Sequence, residues 1–259
     1  MKKFIVAALV FLLLTLTSCA SKIDLVGETQ SYEISSEIHS LDIQIGAADF
    51  IIEHGDRFSV ESNLNYLSVS ERNGVLAIIE EDHNQIGITD YTDAVLKLYI
   101  PNDIVFESVE ITTGAAKLTA DSLSTNYLEL ELGAGKVQFG CLNAYANADI
   151  EGGTGEITIA NGMLNNLILE VGVGELDLTA ALLGKSKLSF GVGKSNLTLI
   201  GSKDMYKIDI ENGLGSITVD GKTVTNFGSS GNGQNYIEVE GGVGTVDIAF
   251  MSEYKFQFV

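Results

Sequence analysis

The stretch Leu167-Ile168-Leu169-Glu170-Val171-Gly172-Val173-Gly174-Glu175-Leu176-Asp177-Leu178 decides how the rest of the chain is read. It holds two apolar-alternating segments joined by Gly-x-Gly. The same phrase begins its glycine slot at Gly114, Gly133, Gly153, Gly172, Gly191, Gly213 and Gly242, at spacings of 19, 20, 19, 19, 22 and 29 residues. Repetition near twenty residues indicates units that stack because none can bury its apolar face alone. Three residues before each slot stand Ile111, Leu130, Ile150, Leu169, Leu188, Ile210 and Val239, and five before stand Val109, Leu128, Ala148, Leu167, Ser186, Ile208 and Ile237. Four residues after come Leu118, Val137, Ile157, Leu176, Ser195, Ile217 and Val246, and six after come Ala120, Phe139, Ile159, Leu178, Leu197, Val219 and Ile248. Side chains alternate faces along a strand, so these positions describe two strands sharing one core, with polar residues pointing out between them.

The glycines Gly114, Gly133, Gly135, Gly153, Gly155, Gly172, Gly174, Gly191, Gly193, Gly213, Gly215, Gly242 and Gly244 are read as structural kinks. There the chain needs a positive φ or the absence of a Cβ that would crowd the next coil. The expected fold is all-β, a β-solenoid resembling a parallel β-helix, with coils of 19–20 residues following one another in sequence order.

The repeat extends backwards in weaker form. Leu41, Ile43 and Ile45, then Gly46-Ala47-Ala48, then Phe50 and Ile52 fit the same slots and predict an N-terminal coil. Residues 58–100 lack the Gly-x-Gly kink; Arg72-Asn73-Gly74 predicts a hairpin turn, and the section is expected to be an antiparallel cap. Residues 220–235 are rich in Gly, Ser, Asn and Thr and read as a flexible loop, followed by a final strand over 254–259. The domain reading is 1–18 signal peptide, 19–40 tether and first strand, 41–113 N-terminal β section or cap, and 114–259 repetitive solenoid.

The first residues are an address. Lys2 and Lys3 precede an apolar run from Phe4 to Leu16, closed by Leu16-Thr17-Ser18-Cys19. Thirteen residues are too few for a span of ~20, so the segment reads as a cleaved export signal. Its ending resembles a bacterial lipobox, which implies cleavage before Cys19 and lipidation of that residue. Membrane attachment would then run through Cys19, on the outer side of the cytoplasmic boundary in a bacterial cell envelope. Cys141 is the other cysteine of the chain, so no intrachain disulfide would remain, and it is expected to be a small buried hydrophobe.

Charge excludes whole classes of partner. Without Lys2 and Lys3 the chain carries 13 Lys and Arg against 35 Asp and Glu, a net charge of −22. Nucleic acid needs a basic patch, and none is visible. Nucleotide binding fails on Gly191-Val192-Gly193-Lys194-Ser195: a P-loop needs glycine at the place of Leu188 and a helix after Ser195, where a strand is expected. Gly152-Gly153-Thr154-Gly155-Glu156-Ile157 and Gly241-Gly242-Val243-Gly244-Thr245-Val246 lack the Asp that calcium β-rolls carry where Ile157 and Val246 stand. His39, His54 and His83 have no metal-ligand spacing, and no firm metal site is expected. No cofactor is called, beyond weak surface Ca2+.

The outward positions two residues before each kink hold Thr112, Glu131, Glu151, Glu170, Ser189, Glu211 and Glu240, with Glu129 and Asp149 one strand position along. Glu129, Glu131, Asp149, Glu151 and Glu170 therefore form a carboxylate stripe. It is either a solvated face that resists aggregation or a surface that collects divalent cations or docks a cationic partner.

The succession Leu98-Tyr99-Ile100-Pro101-Asn102, then Val109-Glu110-Ile111-Thr112-Thr113-Gly114, then the repeated Gly-x-Gly strands resembles the bacterial putative-adhesin domain family over roughly residues 40–250. The resemblance implies an envelope-exposed β-solenoid and brings no catalytic motif. The leading expectation is a non-enzymatic, lipid-anchored surface module that binds a protein or glycan. An envelope-stress or regulatory accessory protein that binds a membrane component is the alternative. A polysaccharide-active enzyme is a third, disfavoured because the acids recur along outward positions and no Trp platform exists.

Overall fold

The computed structural model describes residues 23–81, 89–224 and 227–252. The signal segment, Cys19, His83 and the expected strand over 254–259 lie outside the described residues. The described chain is β throughout, apart from a 3-10 turn at Lys203–Met205.

All four inward positions of all seven glycine slots are buried, together with Leu41, Ile43, Ile45, Phe50 and Ile52 of the N-terminal slot. They form one continuous core. Each fully buried Leu or Ile contributes roughly 1.5–3 kcal/mol, so the repeat places its stabilisation evenly along the stack.

Repeats lie side by side in parallel register. Residues 148–159 pair with 167–178, and 168–180 pair with 187–199. Each repeat thus forms a rung with a segment before the kink and a segment after it. A shorter third side follows, where 142–144 pair with 162–164 and 163–165 with 181–183. Phe106–Ile159 is a single long strand that folds against itself, placing Gly133 beside Gly114 and Gly153 beside Gly133. The glycine slots within it therefore bend a continuous strand rather than separating two. Gly174 shows both reasons for glycine: its φ is 147°, and a Cβ there would fall on the carbonyl oxygen of Gly155 in the neighbouring rung.

The order of the rungs departs from sequence order at both ends. Residues 40–45 and 49–52 pair with 108–113 and 117–120 on one side, and with Val75–Glu80 and Val95–Pro101 on the other. At the far end, 185–189 and 192–200 pair with 236–240 and 243–251, while 206–211 and 216–219 lie beyond, on 235–240 and 245–248. The Gly242 repeat is therefore inserted between the Gly191 and Gly213 repeats. Sequence spacing could not show this, because both repeats carry the same apolar pattern and either fits the vacant ladder.

Antiparallel strands close both ends. Leu67–Arg72 pairs with 75–80 through the expected turn, with positive φ at Asn73 and Gly74, and Ser59–Leu64 pairs with 96–99. The section 58–100 is thus mixed rather than purely antiparallel, since 75–80 and 95–101 also join the parallel stack. Val26–Glu33 lies outside Ser59–Leu64. The expected flexible loop at 220–235 is corrected: Lys222–Val224 and Phe227–Ser230 pair antiparallel with 217–219 and 208–211 and cap the outer rung. Gly and Asn supply its turns, and the residues between them are still strand. Near Gly46 the outer neighbour runs out, and Glu80 takes over. Its carboxylate accepts from the Gly46 amide (2.7 Å) and the Tyr91 hydroxyl (2.8 Å). Burial and that carboxylate push the Tyr91 phenol up to about 12.

Candidate functional site

The segments before the kinks present two outward columns. In stack order, the column two residues before the kink runs Gln44, Thr112, Glu131, Glu151, Glu170, Ser189, Glu240, Glu211. The column four residues before runs Asp42, Glu110, Glu129, Asp149, Ile168, Lys187, Glu238, Asp209. All five acids of the predicted stripe share this face. Glu151 is the direct cross-rung partner of Glu170, and Thr112 donates toward Glu131 at 3.5 Å. The inserted rung corrects the expected order: Glu240, not Glu211, stands beside Ser189.

Asp42 and Glu110 extend the acidic half and were missed by reading the stripe from the later repeats alone. The signal existed, because Asp42 and Glu110 hold the same place relative to Gly46 and Gly114 as Glu129 does relative to Gly133. None of Asp42, Glu110, Glu129, Glu131, Asp149, Glu151 and Glu170 makes an ion pair among the described residues. Cations enter the face only further along, where Lys187 meets Glu240 (3.0 Å), with Ser189 donating to the same carboxylate (2.9 Å). Lys187 thereby holds the Glu240 carboxyl below its usual range, helped by Ser189.

Electrostatics separate the two halves. Partial desolvation, then Asp42, Glu129 and Glu131, raise the Glu110 carboxyl above its usual value. Burial, then Glu170 and Glu131, do the same for Asp149, and its Oδ1 is buried without a hydrogen-bond partner. Like charges on adjacent rungs, about 5 Å apart in water, repel by roughly 1 kcal/mol or less.

The face is shallowly concave. Thr112, Glu131, Glu151, Glu170, Ser189 and Glu240 border a wide-open depression of about 770 Å3, with Leu132, Val171 and Phe190 near the kinks. A second, of about 900 Å3, runs alongside and is bordered by Asp42, Glu110, Glu129 and Asp149, the half-exposed Tyr127 and Ile168, and, at its far end, Lys185 and Lys187. Both run along the stack, so a ligand lying in them would cross rungs.

The other motifs resolve into structure. Gly191–Ser195 lies inside strand Lys185–Ile200, with Ser195 turned into the core. Among the described residues no group of three or more His, Cys, Asp or Glu is arranged to hold a metal. His39 lies 3.2 Å from Glu107. His54 sits in the strand Asp49–Gly55 with Nε2 2.7 Å from Ser122 Oγ, and its Nδ1 is buried with no hydrogen-bond partner among the described residues. Cys141 is half-buried rather than buried; burial raises its thiol pKa, and Asn143 donates to its sulfur at 3.6 Å.

No protein-family profile matches the chain, and no curated protein does. Solved structures do. A putative adhesin from Bacteroides fragilis superposes with a TM-score of 0.58 at 12% identity, covering 87% of this chain and 99% of the other. A putative cell adhesion protein from Clostridium sporogenes gives 0.41 at 15% identity, covering 86% and 99%. The first of these defines the class: an all-β fold shared, over nearly its whole length, with a structure named as an adhesin. The family resemblance read from residues 98–114 and the repeats points to the same kind of fold.

Proposed function

We propose that the chain is a non-enzymatic, lipid-anchored cell-surface protein, a β-solenoid whose coils are the stacked rungs and whose acidic face binds a cationic partner. The observation that carries this reading is the carboxylate ladder from Asp42 to Glu170, shallowly concave and without ion pairs among the described residues. A face kept only for solubility usually has its charges interspersed with cations, whereas here Lys185 and Lys187 stand only at the far end of the acidic run. The likeness to adhesin-named structures, the lipobox-like Leu16–Cys19 and the acidic balance of the chain agree with exposure on the envelope.

Two measurements test it. Labelled fatty acid enters the wild type, and Cys19→Ala abolishes both incorporation and membrane retention; incorporation into the variant overturns the anchor. A polylysine probe binds the wild type in a salt-sensitive manner. Replacing Glu129, Glu131, Glu151 and Glu170 by Gln weakens that binding at least five-fold more than neutralising Asp121, Glu175, Asp177 and Asp247 on the other outward face. Equal loss in the two variants overturns the binding face.

A further inference from the structure

The inserted rung raises the question of which copy of it fills the gap. The outer rung 206–219 reaches the rest of the stack's parallel ladder through 235–251, which sits between it and 185–200. Among the described residues, the covalent link from the outer rung and its cap to this inserted segment is short. The cap strand Phe227–Ser230 ends with Ser230 beside Ile208, and the inserted segment begins with Asn235 beside Tyr206, on the opposite edge of the same strand Tyr206–Glu211. Residues 231–234 therefore hop over the start of that strand.

The hop is tight. Four residues must cross two strand spacings, roughly 10 Å, while reversing direction. Gly231 takes a φ of 85°, the Gly233 amide donates to the Tyr206 carbonyl at 3.0 Å, and a Cβ at either glycine would fall on the backbone of Met205 or Tyr206. Short hinges of this kind allow the segment beyond them to be handed to a neighbour, since every native contact can be remade there.

The slot itself is specific for this segment and blind to which copy supplies it. Tyr236 stands between Lys185 and Lys207, with the two ammonium groups 5.7 and 5.1 Å from its ring centre, and its hydroxyl donates to Asp209 at 3.0 Å. In sequence order the Gly213 repeat would follow the Gly191 repeat directly, which would put Lys207 on the rung beside Lys185 with like charges facing. Tyr236 separates them. Glu240 adds its contacts to Lys187 and Ser189, and the Gly184 amide donates to Asn235. The chain therefore rejects 206–219 and selects 235–251 for the slot.

We infer that two copies of this chain exchange residues 235–251, each inserting its segment into the slot between 185–200 and 206–219 of the other. The partner is a second copy, and the interface is the ladder already seen within one chain. Exchange takes place during folding, when the slot is filled, or on annealing near the melting temperature.

The cross-rung pair Thr198 and Ala249 allows a direct test, because both side chains face outward and neither makes a polar contact among the described residues. Two single-cysteine proteins, Thr198→Cys and Ala249→Cys, are prepared in a background with Cys19→Ala and Cys141→Ala. They are mixed, annealed from just below the melting temperature and oxidised. The expected product is a disulfide-linked heterodimer joining the two variants, several-fold in excess of either homodimer. A statistical mixture of homo- and heterodimers, or monomers alone, overturns the exchange. Placing both cysteines in one chain and oxidising before annealing locks the segment in its own slot. Applied to monomer isolated by gel filtration, that lock prevents the dimer from forming on annealing, and a dimer that still forms from locked monomer overturns the proposal.

Discussion

Gly174 places the most demand on a single residue, since its φ lies where L-residues are strained and a Cβ would strike the neighbouring rung's backbone. Gly174→Val is expected to cost about 2–4 kcal/mol, strain and displacement together. Thr154→Val, at the exposed middle position of another slot, is expected to cost no more than ~0.5 kcal/mol. Thermal unfolding compares them, and equal shifts would contradict the role assigned to the kink. Asp149 and Glu110 make the other residue-scale prediction. Their carboxyls are raised in the folded protein, so the folded state binds more protons than the unfolded one as pH falls from neutral toward the ordinary values of 3.8 and 4.5. Stability from these groups therefore rises on acidification and is lost as pH climbs through their folded values; Glu240, held low by Lys187, works in the opposite sense. Asp149→Asn should raise the melting temperature at pH 7 and do little near pH 4, and a gain that is the same at both pH values would remove the linkage. At this scale the sequence was highly legible, because period-two alternation around each slot needs no tertiary information. His54 was not: its place between the rungs depends on which strand lies beside Asp49–Gly55, and alternation within one strand cannot say that.

At the scale of the rung, the carboxylate ladder is a row of like charges held in register by the backbone. Neutralising Glu151 and Glu170 together removes two direct cross-rung repulsions, Glu131 with Glu151 and Glu151 with Glu170, and is expected to stabilise the protein by about 1 kcal/mol. Millimolar calcium is expected to raise the wild-type melting temperature by screening or occupying the ladder, and to lose most of that effect in the Glu151→Gln, Glu170→Gln protein. A calcium shift of equal size in both would detach it from these residues. The composition of 220–235 concealed the cap strands, since Gly, Ser and Asn were read as a loop when they mark turns between short strands. The acidic stripe was found, but its true neighbours at Glu211 and Glu240 were exchanged. Two repeats with identical apolar patterns leave their order to polar details such as Tyr236, which periodicity does not weigh.

For the molecule as a whole, the parallel stack predicts how stability is distributed. Amides of 206–211 hydrogen-bond into the stack beside 235–240, so the two segments should open together. Hydrogen exchange is expected to give them matching protection, below that of 148–159 and 167–178 in the middle of the stack. Protection of 206–211 that instead followed 185–189 would contradict the inserted order. The all-β class could be read from the chain because it follows from local alternation; the exchanged rungs at both ends could not, because they are choices among nearly equivalent long-range pairings.

Those exchanged rungs also bear on load. The chain joins the parallel stack at 40–55 near one end and leaves it at 235–251 near the other, and each of these rungs is flanked on both sides. In a stack laid down in sequence order, a pull on either end would peel an outermost rung held by one ladder, and the rest would follow like a thread drawn from a hem. Here a pull from the amino-terminal side first peels the peripheral strand Val26–Glu33 and then meets a rung held on both sides, while from the other side the rung 235–251 must break two ladders at once. Past that outer strand, the stack would yield abruptly and at higher force, not by gradual unravelling.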